Sequence, residues 1–163
     1  MTQTNKLEVK AVKGVQESFI IREFNFPRAL VFKAFADPHI FAQFWGPDDS
    51  PLKLDYYDFK KGGSYRYRNF DHQGNELCAF SGVFHEITEP ERIIQTSEFE
   101  GLPEPGHVVL EAILFEALPG DKTKLIIHDV FRSVEDRDAM INSGVETGLE
   151  QGFNRLEKLM ALH

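Results

Sequence analysis

The chain is short of cysteine, of tryptophan, of positive charge and of long apolar runs. Each shortage removes a class of function. Cys78 is the only cysteine, so neither an intramolecular disulfide nor a thiolate metal cluster is available. A lone free thiol fits a reducing compartment. The longest apolar stretches fall far below the roughly 20 residues that span a bilayer. The opening MTQTNKLEVKAVKG has no apolar core of a secretory signal, so a cytoplasmic location is expected. Lys and Arg number 18 against 26 Asp and Glu, a net charge of −8 and a pI near 5.2. That balance argues against nucleic acid and anionic membranes as partners, because both reward clustered cations. Among the six histidines (His39, His72, His85, His107, His128 and His163) none forms the i, i+4 pair of a helical zinc motif. Nucleophile-elbow, phosphate-loop and dinucleotide patterns are missing too. Neither a metal nor a cofactor is expected.

Phenylalanine is what the chain has in excess: 15 copies, against four tyrosines and one tryptophan. Such rings bring large apolar surface without a polar handle. Two uses are open, an aromatic-rich core or a set of rings lining an apolar cavity.

Length and composition fit one domain with a substantial core. Residues 1–15 are polar and read as an N-terminal extension, with Leu7–Lys10 as an alternative edge strand. A single domain is expected over residues 16–163. Residues 17–25 read as a strand. Pro27 and the pattern of 28–35 predict a short helix, and Asp37-Pro38 opens a second that closes at Trp45-Gly46-Pro47. Strands then follow at 52–59, 64–68, 77–87, 92–99, 107–117 and 123–131, joined by short Gly- and Pro-bearing turns. Gly82, inside one of them, suggests a bulge or bend. Short connections without intervening helices predict an antiparallel sheet.

Ser133 is a good N-cap for a last, long helix from Val134 to about Leu162. Ile141, Val145, Leu149, Phe153 and Leu156 repeat at helical spacing. Gly144, Gly148 and Gly152 lie beside that stripe, four apart on one face. Glycine in a helix costs roughly 1 kcal/mol relative to alanine. The trio therefore signals either tight packing against a neighbour or a widened space beneath the helix. The whole pattern is α+β: a curved antiparallel sheet around a long C-terminal helix, with two short helices after the first strand.

Specific segments carry a family resemblance. Residues 24–35 (FNFPRALVFKAF), Asp37-Pro38 and Phe44-Trp45-Gly46-Pro47 resemble the opening signature of the SRPBCC (START-like) superfamily. Lys61-Gly62-Gly63-Ser64, Gly82-Val83-Phe84-His85-Glu86 with Pro90-Glu91-Arg92, Phe115-Glu116, and Ser133 to Met140 with Gly144, Gly148 and Arg155 follow in matching order. The nearest branch looks like bacterial homologues of the C-terminal domain of the heat-shock-protein-90 ATPase activator. The resemblance covers residues 17–161 and implies the helix-grip fold with a cavity between sheet and terminal helix. Phe26, Leu149 and Gly152 depart from the family pattern. Small residues at the latter two positions would enlarge the cavity. Members of the superfamily bind lipids, hormones and polyketides, and some catalyse cyclisation or hydrolysis, so the fold does not choose among them.

Three functions follow as expectations. The first is binding of an apolar or amphipathic small molecule. Phe41, Trp45, Tyr65, Tyr67, Phe80, Phe84 and Phe115, with Gly148, Leu149, Gly152 and Phe153 on the helix, form the expected ligand-binding set. The 101–106 loop (GLPEPG) is a lid candidate. The second is a cyclase or hydrolase on the same scaffold. Glu111 shares a period-2 face with Val109, Ile113 and Phe115, although the opposite face is also apolar. If it points inward, desolvation raises its pKa and suits it to general-acid chemistry. His128 and Asp129 face opposite sides of their strand and complete the catalytic candidates. The third is a chaperone-associated interaction module. A homodimer is compatible with all three.

Overall fold

The computed structural model describes residues 5–162; residues 1–4 and His163 lie outside the described residues. Eight antiparallel strands form one sheet in the order β1-β2-β8-β7-β6-β5-β4-β3. They are β1 (Glu8–Lys10), β2 (Glu17–Phe24), β3 (Leu52–Tyr57), β4 (Ser64–Phe70), β5 (Glu76–Thr88), β6 (Arg92–Phe99), β7 (Val108–Leu118) and β8 (Lys122–Val130). Helices α1 (Arg28–Ala36) and α2 (Pro38–Phe44) follow β2, and α3 (Val134–Asn142) and α4 (Val145–Met160) close the chain. The α+β helix-grip architecture is therefore the one expected, with strand bounds within a few residues of those read from alternation.

Strand alternation sets the inner face. In β2 the buried positions are Ser18, Ile20, Arg22 and Phe24, and in β8 they are Thr123, Leu125, Ile127 and Asp129. The same period turns Val109, Glu111, Ile113 and Phe115 of β7 inward and leaves Leu110 on the outside, 47% exposed. That settles the face of β7, which the two-sided apolar sequence had left open.

The N-terminal extension needs a correction. Residues Glu8–Lys10 pair with β2, Val9 opposite Ile20. They cover a strand edge that would otherwise offer unpaired backbone groups. Leu7 and Val9 also pack against the core. Arg137 of α3 holds the following loop by donating from Nη1 to the Val12 carbonyl at 2.6 Å.

The single long terminal helix needs a second correction. Ser133 caps it as expected, accepting from Asp136 N at 3.0 Å. The helix then stops at Asn142, and α4 restarts after Gly144, whose φ of 88° is left-handed. A left-handed residue ends a right-handed helix and favours glycine. Gly144 is thus a hinge between two helices and no part of a smooth face.

The other two glycines separate as well. A Cβ on Gly152 would lie 2.5 Å from the Phe44 carbonyl oxygen and 3.2 Å from that of Gly46. The missing side chain lets the end of α2 press against α4; it does not enlarge the cavity. Arg155, one turn on, donates from Nη2 to the same Phe44 carbonyl at 2.9 Å and also reaches the Gly46 carbonyl. It satisfies acceptors left free at the end of α2. A Cβ on Gly148 would meet only Pro47, at the ordinary distance of 3.5 Å.

Beneath the C-terminal part of α4 the interior is solid. Phe24, Phe32, Phe35, Phe44, Phe115, Phe153, Leu125 and Leu156 are each at most 2% exposed. Their rings meet edge to face, as in Phe24–Phe153 at 5.6 Å and Phe32–Phe115 at 5.1 Å, the favoured geometry for aromatic pairs.

Candidate functional site

Beneath α3 the interior is hollow. A cavity of about 590 Å³ lies between the inner sheet face, α3, the start of α4 and the loops after α2 and β6. Ile20, Ile113 and Ile127 form its floor. Phe41, Trp45, Tyr57, Tyr65, Tyr67 and Phe80 form one wall, and Ala139, Met140, Val145, Gly148 and Leu149 the roof. Leu102, in the 101–106 loop, and Phe99 stand at the rim; both are 41% exposed. Two short helices joined at Gly144 change direction where one straight helix would not.

A polar row crosses this apolar floor. Ser18 on β2 is opposite Asp129 on β8, Asp129 is opposite Glu111 on β7, and Glu111 is opposite Gln95 on β6. Gln95 donates from Nε2 to Glu111 Oε1 at 2.9 Å. The Tyr65 hydroxyl lies 3.5 Å from the same nitrogen and donates to the Thr96 carbonyl at 2.6 Å. Gly82, opposite Tyr65, leaves room for that ring, since a Cβ there would sit 2.6 Å from the hydroxyl oxygen. The anticipated bend at Gly82 is thus a place where a side chain crosses the strand.

Asp129 is the unusual member of the row. It is 4% exposed, and its Oδ1 has no hydrogen-bond partner among the described residues. Ser18 is fully buried, and its Oγ is also unpartnered. Unmade hydrogen bonds of buried groups are costly and uncommon in native proteins. Burial raises the Asp129 carboxyl well above the usual carboxylate range, and the charge and hydrogen bond of Glu111 add to the effect. The charge of Glu111 and the loss of water both favour the protonated form of Asp129. Burial likewise keeps the Tyr65 and Tyr67 phenols protonated, with Trp45 Nε1 donating to the Tyr67 oxygen at 3.0 Å. Burial also pushes the Cys78 thiol up, with Glu76 adding to it, which disfavours the reactive thiolate. At the rim His107 Nδ1 lies 2.8 Å from Asp136 Oδ2 of α3.

The expected binding set divides. Phe41, Trp45, Tyr65, Tyr67, Phe80, Gly148 and Leu149 line the cavity. Phe84, Phe115, Gly152 and Phe153 do not: Phe84 packs on Tyr57 and Phe59, Phe115 on Phe32 and Phe35, and Phe153 on Phe24 and Phe44. Their strand or helix periodicity is right, but they fall toward the filled end. The catalytic candidates divide too. Glu111 and Asp129 come together. His128 lies on the outer face, stacked on Phe19 at 4.3 Å with Nε2 2.8 Å from Glu17 Oε2.

Ser18, Gln95, Tyr57, His107 and Asp136 were not singled out by their sequence. Gln95 follows Ile93 at period 2, so its face was readable. Its position opposite Glu111 depends on register, which no local pattern reports. Among the described residues no group of three or more His, Cys, Asp or Glu is placed to hold a metal, and no helix is long and apolar enough to cross a membrane.

A curved antiparallel sheet gripping a C-terminal helix around an internal cavity is the arrangement of START-like, or SRPBCC, proteins. Within that class the chain belongs to the Activator of Hsp90 ATPase homolog 1-like protein family, whose model matches residues 25–161. No curated protein matches the chain. Its fold is shared with a protein from Arthrobacter aurescens at a TM-score of 0.84 and 21% identity, covering 96% of this chain and 92% of that one. A Rhodobacter sphaeroides protein gives 0.83 at 19% identity over 96% and 100%. One from Staphylococcus epidermidis gives 0.78 at 24% identity over 93% of each.

Proposed function

We propose that the protein binds a hydrophobic or amphipathic small molecule between the sheet and α3. The observation that carries this reading is the cavity of about 590 Å³, apolar on most walls and crossed by one polar row. Ligand sites combine such apolar enclosure with a few placed polar groups. Leu102 and its loop serve as the lid. The family description suggests a chaperone partner, but a deep hollow suits a small molecule better than a protein surface.

Trp45 is the only tryptophan and borders the cavity. Hydrophobic ligands therefore change its fluorescence and raise the melting temperature. Gly148→Leu fills the roof and abolishes both responses while the chain stays folded. No response across a broad panel of lipids and polyketide-like compounds overturns the reading. Stimulation of a chaperone ATPase that survives in Gly148→Leu would favour the chaperone role instead.

The acid pair favours a second reading, a cyclase- or hydrolase-type enzyme in which Asp129 and Glu111 exchange a proton with a bound substrate. It predicts turnover that Asp129→Asn removes without weakening binding of the same compound.

A further inference from the structure

We infer that the ligand carries a cationic amine, held by the Glu111–Asp129 carboxyl pair while its apolar body fills the cavity. This rests on the binding role proposed above and adds the chemistry of the head group.

Charge complementarity comes first. The ionisable groups facing the hollow are Glu111 and Asp129 on the floor, Tyr57, Tyr65 and Tyr67 on the wall, Cys78 beside them, and the His107–Asp136 pair at the rim. Among the described residues no lysine or arginine lines it. A carboxylate or phosphate head group on the floor would meet two acids and no lysine or arginine. An ammonium group would meet acceptors on both.

The unsatisfied atoms point the same way. Asp129 Oδ1 is a buried oxygen without a partner, and the equally unpartnered Ser18 hydroxyl, able to donate or accept, lies on the adjacent strand at the same register. An ammonium group has three donors and no acceptor. It can serve Asp129 Oδ1 and a Glu111 oxygen together, leaving Gln95 in its present bond to Glu111 Oε1. The aromatic wall adds to this. The faces of Phe, Tyr and Trp rings attract cations, more strongly when both are desolvated.

The proton accounting balances. Burial together with Glu111 makes Asp129 hard to ionise, so it holds a proton. An incoming ammonium replaces that proton, which leaves to solvent. Amine affinity therefore rises with pH for as long as Asp129 retains its proton.

The test uses three probes with one rigid cage: 1-adamantanamine, 1-adamantanol and 1-adamantanecarboxylate. Each is titrated into the full chain by calorimetry, with Trp45 fluorescence as a second readout. The amine is expected to bind at least about tenfold tighter than the alcohol, and the carboxylate weaker than either. Glu111→Gln and Asp129→Asn each bring amine and alcohol to within about twofold. Glu23→Gln, an exposed position on β2 with the same change in net charge, keeps the preference. Equal binding of amine and alcohol, preference for the carboxylate, or an amine preference that survives both acid substitutions overturns the inference while the binding role stands. Failure of all three probes and of the wider hydrophobic panel overturns both.

Discussion

Arg22 and Asp129 lie on the same face of neighbouring strands, and their surroundings could hardly differ more. Arg22 sits under α4 with its side chain fully buried. It donates to Asn154 Oδ1 at 3.1 Å and Glu157 Oε1 at 2.8 Å, and lies 5.1 Å from the Phe24 ring centre. The phenylalanines around it leave no room for a guest. Asp129 sits under α3, with an oxygen unpartnered and a hollow beside it. The Arg22 charge is met by a carboxylate from within the chain, with Nε and Nη1 left without acceptors among the described residues. Among those residues the Asp129 carboxyl has no lysine or arginine beside it in the lining of the hollow. The two helices explain the contrast. Gly152 draws α4 onto the end of α2, and the left-handed Gly144 ends α3 and re-aims the chain. The two terminal helices thereby close one end of the sheet and roof over the other.

The largest break in this comparison comes from the filled end. Phe153→Ala removes a ring that is 0% exposed and destabilises the fold by about 4 kcal/mol in chemical denaturation. Glu157→Ala leaves Arg22 buried without its carboxylate and costs about 3 kcal/mol. The glycines come next, because they discriminate the ends directly. Gly152→Ala forces a Cβ against backbone and costs about 2 kcal/mol. Gly148→Ala meets Pro47 at contact distance and gains up to about 1 kcal/mol from helix propensity. Equal effects at the two positions would contradict the division.

The smallest effect is a pH dependence at the hollow end. The Asp129 carboxyl is raised in the folded state by burial and by Glu111. The folded protein then holds a proton that the unfolded chain releases first, so this group's contribution falls as pH rises toward its folded value. Asp129→Asn lacks that loss. Its stability relative to the parent grows as pH rises above about 4, the ordinary carboxylate value, in denaturant titrations. A gap that shrinks with pH would contradict the assignment.

The strands, the two short helices and the family were legible in the sequence because alternation, proline placement and the cap at Ser133 act locally. The interior was legible only by face. Period 2 turns Glu111 and Phe115 the same way, but it does not say that Glu111 falls beside Asp129 over a hollow while Phe115 falls among Phe32 and Phe35. Those outcomes depend on register and on where a helix ends. The three glycines looked alike at four-residue spacing. Their roles as hinge, roof and contact point depend on what faces each, which sequence spacing does not encode.

The most direct measurement is a methyl NMR spectrum of the full chain with and without 1-adamantanol. The account predicts shifts for Ile113, Ile127, Met140 and Leu149 around the cavity, with Leu125 and Leu156 in the filled end unmoved. Unchanged cavity methyls, or shifts spread evenly over both ends, would contradict it.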